Sequence, residues 1–93
     1  MTIAFLPQAR REWLAAIEYY NAQRTNLGYE FAMEGDRALE RVRRYPYAWT
    51  KVDERSRRTL IRRFPYGLMY FVEHDQIIVT AVMNLRQRPQ ELT

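Results

Sequence analysis

Residues 57–84 read RRTLIRRFPYGLMYFVEHDQIIVTAVMN, and two chain reversals divide this stretch into three. Phe64-Pro65-Tyr66-Gly67 is a corner, because proline presets one turn dihedral and glycine relaxes another. His74-Asp75-Gln76 is a tight turn of polar residues. The pieces left over run from Arg57 to Arg63, from Leu68 to Glu73 and from Ile77 to Asn84. They are rich in β-branched and aromatic residues and of strand length. Connections this short make the strands antiparallel neighbours. The third piece is nearly all apolar, which predicts a central strand covered on much of both faces.

Working outward, residues 2–6 (Thr-Ile-Ala-Phe-Leu) predict a short first strand, ended by Pro7, which suits the first turn of a helix. Trp13, Ala16, Ile17 and Tyr20 then recur at the spacing of one helical face over residues 8–23. Asn26-Leu27-Gly28 interrupts the pattern. A second helix is predicted from Leu27 to Tyr45, with the stripe Leu27, Phe31, Ala38, Leu39 and Val42. Gly35 shares that stripe and would let the two helices approach closely. Arg41, Arg43 and Arg44 lie at the helix end where cations are favoured, and Pro46 stops the helix. Residues 46–56 read as a polar loop containing Trp49. The expected fold is α+β in the order β-α-α-β-β-β. It is a mainly antiparallel four-stranded sheet with an N-terminal helix hairpin packed on one face, in a single domain over residues 1–93.

Composition narrows the chemistry. The 93 residues contain no cysteine, one histidine and a formal net charge of +4. Thiolate metal sites, disulfides and cysteine nucleophiles are excluded. There is no Asp-x-Asp pair or glycine-rich phosphate loop, and Ser56 is the sole serine. No metal and no cofactor is expected. No apolar run approaches the length of a membrane span or a signal segment, so no membrane association and a cytoplasmic location are expected.

Lys51 is the one lysine among 15 basic residues; the rest are arginines. Their planar forks match phosphates and carboxylates. A GC-rich genome would enrich arginine too, so placement matters more than number. Strand alternation puts Arg58, Leu60 and Arg62 on one face and Arg57, Thr59, Ile61 and Arg63 on the other. Arg86 and Arg88 leave the adjacent last strand. Together these side chains would form a cationic surface at one end of the sheet. The alternative is salt bridging to Asp53, Glu54 or Glu73. Trp13, Tyr19, Tyr20, Phe31, Tyr66, Tyr70 and Phe71 mostly fall on periodic stripes and are expected in the core. Trp49 falls off any stripe and is a weaker candidate contact.

Several short motifs recur in a fixed order. Glu18-Tyr19-Tyr20 closes the first helix, Asn26-Leu27-Gly28 opens the second, and Phe31 follows one turn on. Tyr45-Pro46 ends that helix, and Arg57-Arg58 enters the next strand. Then come Arg62-Arg63-Phe64-Pro65-Tyr66, Tyr70, and Asn84-Leu85-Arg86-Gln87-Arg88-Pro89. In this order and spacing they resemble the RelE/ParE family of toxins from type II toxin–antitoxin systems, over nearly the whole chain. The resemblance also has departures. Many members with this corner carry histidine where Asn84 stands. The ribonuclease branch carries arginine where Gly67 stands, and tyrosine or histidine where Leu92 stands. On this matching most of the nuclease chemistry is missing.

RNA cleavage by attack of a 2′-hydroxyl needs a base, an acid and stabilisation of the phosphate. Arginines supply only the last. His74 sits in a turn and is expected to be solvated; Glu91 and Tyr66 are the remaining titratable candidates. The resemblance therefore implies, first, a ParE-like inhibitor of DNA gyrase, which needs no catalytic group of its own. It implies, second, a RelE-like ribosome-dependent mRNA endoribonuclease, and third, an inactive member that only binds its antitoxin. Each implies a cognate antitoxin in a toxin–antitoxin hetero-oligomer of the plasmid-stabilisation, growth-arrest type. The candidate target- or phosphate-binding residues are Arg57, Arg58, Arg62, Arg63, Asn84, Arg86 and Arg88, with Trp49 behind them.

Overall fold

The computed structural model describes residues 1–86. Thr2–Phe5 forms β1, Pro7–Gln23 α1, Leu27–Arg44 α2, Thr50–Lys51 β2, Arg57–Ile61 β3, Tyr66–Glu73 β4 and Gln76–Asn84 β5. The expected α+β order is present, with one strand more than predicted. Residues 46–56 are not all loop: Thr50 and Lys51 pair antiparallel with Arg58 and Arg57, giving a five-stranded sheet in the order β1-β5-β4-β3-β2. A two-residue strand carries no periodicity, so no pattern in the sequence announces it. β1 runs parallel to β5, and the other pairings are antiparallel.

Local chemistry explains the boundaries. Pro7 opens α1, where its missing N–H is no loss. Asn26 adopts a left-handed φ of 71° between the helices, a conformation asparagine tolerates better than most residues. The Gly28 N–H donates to Asn21 Oδ1 at 2.7 Å, tying the start of α2 to the end of α1. His74 and Asp75, at φ 51° and 60°, make the β4–β5 connection a two-residue turn. That conformation matches the twist of paired strands.

Both helices lie on one face of the sheet. The α2 stripe buries Phe31, Ala38, Leu39 and Val42 as expected, together with Glu34 and Gly35. Trp13, Tyr20, Phe31, Phe64 and Tyr66 form an aromatic cluster with ring centroids between 4.9 and 6.0 Å apart. Such pairs add about 0.5–1.5 kcal/mol each beyond the area they bury. A second cluster joins Val42, Tyr70 and Ile77, with Trp49 packed on it. The Tyr70 hydroxyl donates to the Pro46 carbonyl at 2.7 Å, which anchors the segment after α2 to the sheet.

Three further expectations are corrected. β5 is an interior strand, but among the described residues only one of its faces is covered; Ile78 and Ala81 are half-buried and Met83 is exposed. Tyr19 is 54% exposed and does not belong to the core. The strand predicted from Arg57 to Arg63 stops at Ile61, so Arg62 and Arg63 sit in the turn and are released from strand alternation.

Candidate functional site

The corner between β3 and β4 sorts the arginines. Arg63 takes a left-handed φ of 75°, which costs a non-glycine residue roughly 1–2 kcal/mol. It also directs the side chain back to α2, where Nη2 donates to Glu30 Oε1 at 2.8 Å. Glu30 meets Arg24 as well, at 3.5 Å. The hydrogen bond from Arg63, followed by these guanidinium charges, holds the Glu30 carboxyl below its ordinary range. Arg63 thus pins the corner to the start of α2, whereas Arg62 lines a different groove, shared with Arg41 near the end of that helix.

On the Arg62 side, a groove of about 300 Å³ runs along the open edge of β3, lined by Arg41, Trp49, Thr50, Arg58, Leu60 and Arg62. Past Arg41 and Trp49 it continues into a second hollow of about 480 Å³ against the end of α2, where Arg37, Glu40, Arg44 and Tyr45 join the wall. Burial, and behind it the Arg62 cation, pushes the Arg41 guanidinium below its ordinary value. The Trp49 indole N–H is buried with no acceptor among the described residues. Arg58 owes its position to Gly67. Its stem carbons would lie 3.3 and 3.4 Å from any Cβ there, so the aliphatic chain occupies the space that glycine leaves.

On the Arg63 side, a pocket of about 400 Å³ is lined by Tyr19, Tyr20, Arg63, Phe64, Asn84 and Arg86, among others. Asn84 Oδ1 accepts the Arg86 backbone N–H at 2.9 Å, which shapes the chain leaving β5. Burial pushes the phenols of Tyr20 and Tyr66 above their ordinary value; a side-chain hydrogen bond with Asn84 opposes this at Tyr66. Neither phenol is thereby primed as a base at neutral pH.

The cationic surface expected at one end of the sheet is therefore two sites, split by the corner. Arg58, Arg62 and Trp49 share one; Asn84 and Arg86 share the other, where Arg63 forms part of the wall with its guanidinium held by Glu30. Arg57 joins neither. Its guanidinium donates to the Trp49 carbonyl at 2.8 Å and lies over the Tyr47 ring, holding the 46–56 segment. Among the described residues Arg58, Arg62 and Arg86 form no ion pair. Of the anticipated acids, Glu73 pairs instead with Arg55, at 2.7 Å. Arg88 and Glu91 lie outside the described residues, as does Leu92.

Arg41 is the residue that sequence reasoning missed. Its place in the last turn of α2 explained it fully as a helix-end cation, but its position one residue before buried Val42 also turns it toward the sheet edge. His74 is exposed in the β4–β5 turn. The ladder from Glu73↔Gln76 to Tyr66↔Asn84 separates it from Asn84 by roughly 25 Å at strand rise. Among the described residues no three acid, histidine or cysteine side chains are grouped to hold a metal ion, and no helix is long and apolar enough to cross a membrane.

No protein-family model and no curated protein matches the sequence. Among solved structures the chain is similar to one from the chromosomal ParDE TA system of P. aeruginosa. The TM-score is 0.63 at 15% identity, over 92% of this chain and 97% of that one. At that identity the likeness establishes a shared fold.

Proposed function

We propose that this chain is the toxin of a type II toxin–antitoxin module, acting in the cytoplasm by binding rather than by hydrolysis, with DNA gyrase as its target. One observation carries the reading. Arg41, Arg58, Arg62 and Arg86 line two grooves without ion pairs, and no histidine or carboxylate lines either groove among the described residues. Phosphoryl chemistry on RNA needs an acid and a base as well as cations. His74 lies at the far end of the hairpin, and burial disfavours ionisation of Tyr20 and Tyr66. Clustered cations without acid–base partners suit a protein that seizes an anionic surface and holds it. Gyrase engaged on its DNA presents such a surface.

The fold shared with a chain of a toxin–antitoxin system supports the same reading. A free toxin has to be held inactive, so a cognate antitoxin is its standing partner in a hetero-oligomer. An acidic antitoxin segment complements the unpaired arginines.

The test is gyrase with supercoiled plasmid. Purified protein is expected to make cleaved, enzyme-linked DNA accumulate, and co-purified antitoxin to reverse it. Cleavage of ribosome-bound mRNA without any effect on gyrase would replace this with the endoribonuclease reading. Inactivity in both assays, from folded protein that still binds antitoxin, would make the chain a binding-only member.

A further inference from the structure

The segment that follows α2 folds back on the end of the helix. The Tyr45 N–H donates to the Arg41 carbonyl at 3.0 Å, and the Ala48 N–H to the Tyr45 carbonyl at 3.2 Å. The Pro46 carbonyl accepts from the Tyr70 hydroxyl and the Trp49 carbonyl from the Arg57 guanidinium. Trp49 is thereby a fixed wall, backed by Val42, Tyr70 and Ile77. Between Trp49, Tyr45 and α2 lies the hollow of about 480 Å³. That is the size of sites that enclose small organic ligands, which combine apolar walls with a few placed polar groups.

The placed groups here are Arg37, Arg41, Arg44 and Glu40. The three arginines recur at spacings of four and three, so they rise along one helical face. Glu34 Oε2 accepts from Arg37 Nη1 at 3.1 Å and steadies that fork. Arg41 and Arg44 form no ion pair among the described residues. The helix dipole favours cations anywhere in the last turn. That accounts for exposed Arg43, which lines none of the hollows described above. It does not account for three forks gathered round one hollow.

We propose that this hollow binds a free nucleoside 5′-phosphate, guanine nucleotides above others, with the base against Trp49 and Tyr45 and the phosphate on Arg37, Arg41 and Arg44. Arginine forks hold phosphate by paired hydrogen bonds, and aromatic side chains stack bases. A bare phosphate would leave most of the volume and both rings unused. Burial, and behind it Arg62, works against the Arg41 charge, and a phosphate offsets both. Glu40 selects the base, because a carboxylate accepts hydrogen bonds. Guanine turns two adjacent N–H donors outward at its pairing edge. Adenine and cytosine present a ring-nitrogen acceptor there, and uracil flanks its one N–H with carbonyls that repel a carboxylate. Neither gyrase nor an antitoxin enters the inference, so it and the reading above stand or fall separately.

The test is NMR of the purified, isotope-labelled chain titrated with GMP in a phosphate-free buffer, beside AMP, guanosine and inorganic phosphate. The sequence has two tryptophans. No hydrogen bond holds the Trp49 indole N–H among the described residues, and its resonance should shift with GMP. The Trp13 indole, packed against Gly35, should stay unmoved and serves as the folding control in every variant. Arg41→Gln with Arg44→Gln should weaken GMP binding about tenfold or more, the size expected for losing one charge-assisted contact. Arg43→Gln removes the same charge from the same turn, outside the hollow, and should bind GMP as before. Glu40→Gln should abolish the preference for GMP over AMP. Retained binding in the double variant would overturn the proposal. So would an equal loss from Arg43→Gln, which would reduce the effect to net charge. Inorganic phosphate, guanosine or AMP shifting Trp49 as strongly as GMP would overturn it too, as would no shift at about 1 mM GMP, the upper end of ordinary metabolite affinities.

Discussion

The Trp13 indole lies against Gly35 so closely that a Cβ on residue 35 would fall within contact distance of two ring carbons at once. This contact sets how near α1 comes to α2. It also places Trp13 against both Phe5 and Phe31, with ring centroids 5.9 and 5.3 Å away. Two effects compete in Gly35→Ala. Helix propensity favours alanine by about 1 kcal/mol, while overpacking a rigid indole costs about 1–3 kcal/mol or more. The second should win, giving net destabilisation of about 1–2 kcal/mol in urea melts, with a shift in tryptophan emission. A more stable variant would show that the helices can slide apart freely.

Glu12 works as a strand surrogate. β1 ends at Phe5, opposite Val79, and further along β5 the Val82 N–H donates to Glu12 Oε1 at 2.9 Å. Glu12→Ala leaves that amide unsatisfied in a partly buried place and should cost about 1–3 kcal/mol. Glu12→Gln keeps an acceptor and should cost less. Amide hydrogen exchange at Val82 would separate the two, being faster in the alanine variant.

Tyr70 makes stability fall at alkaline pH. Burial pushes its phenol from the ordinary 10.0 to about 12. The folded state therefore prefers the protonated form more than the unfolded chain does. Its contribution is fully present below pH 10 and is lost as pH rises through about 12. Urea midpoints measured across that interval should decline, and Tyr70→Phe should flatten the decline. Tyr70→Phe should itself lower stability by about 1 kcal/mol at pH 7, through loss of the bond to the Pro46 carbonyl.

The two arginine sites should behave unlike the arginine that joins them. Arg62→Ala with Arg86→Ala removes from each groove a cation that has no ion pair among the described residues, and should abolish growth arrest on induction while leaving the melting temperature nearly unchanged. Undiminished arrest would sink the cationic-surface account. Arg63→Gly should leave arrest intact. Its exposed bond to Glu30 is worth about 0–1 kcal/mol, and glycine relieves the left-handed backbone by roughly 1–2 kcal/mol, so stability should hold or rise slightly.

Much of the fold was legible because its signals are local. Pro7 and Pro46 bound the helices, Trp13, Ala16, Ile17 and Tyr20 declare a face at 3.6-residue spacing, and His74-Asp75 announces a turn within two residues. Glu12 and Trp49 were illegible for the opposite reason. Glu12 stands off its helical stripe, and its partner Val82 is 70 positions away. Trp49 follows no stripe, yet packs beside Tyr70 in the second core cluster.

By itself the sequence determined the order of every element except β2, the helix hairpin on one side of a largely antiparallel sheet, and the arginine-rich, cysteine-free chemistry available to it. Periodicity and turn residues act over a few positions, so they survive without knowledge of the whole. Only the tertiary structure decided that Arg62 and Arg63 part company at the corner, that Arg41 leaves its helix-end role to face Arg62, and that β2 stops short of Leu60 at the sheet edge. Each depends on where one segment stops relative to another: β3 at Ile61, β2 at Lys51, the turn at φ 75°. Such endpoints are settled by the packing of residues distant in the chain, and no short stretch of sequence carries them.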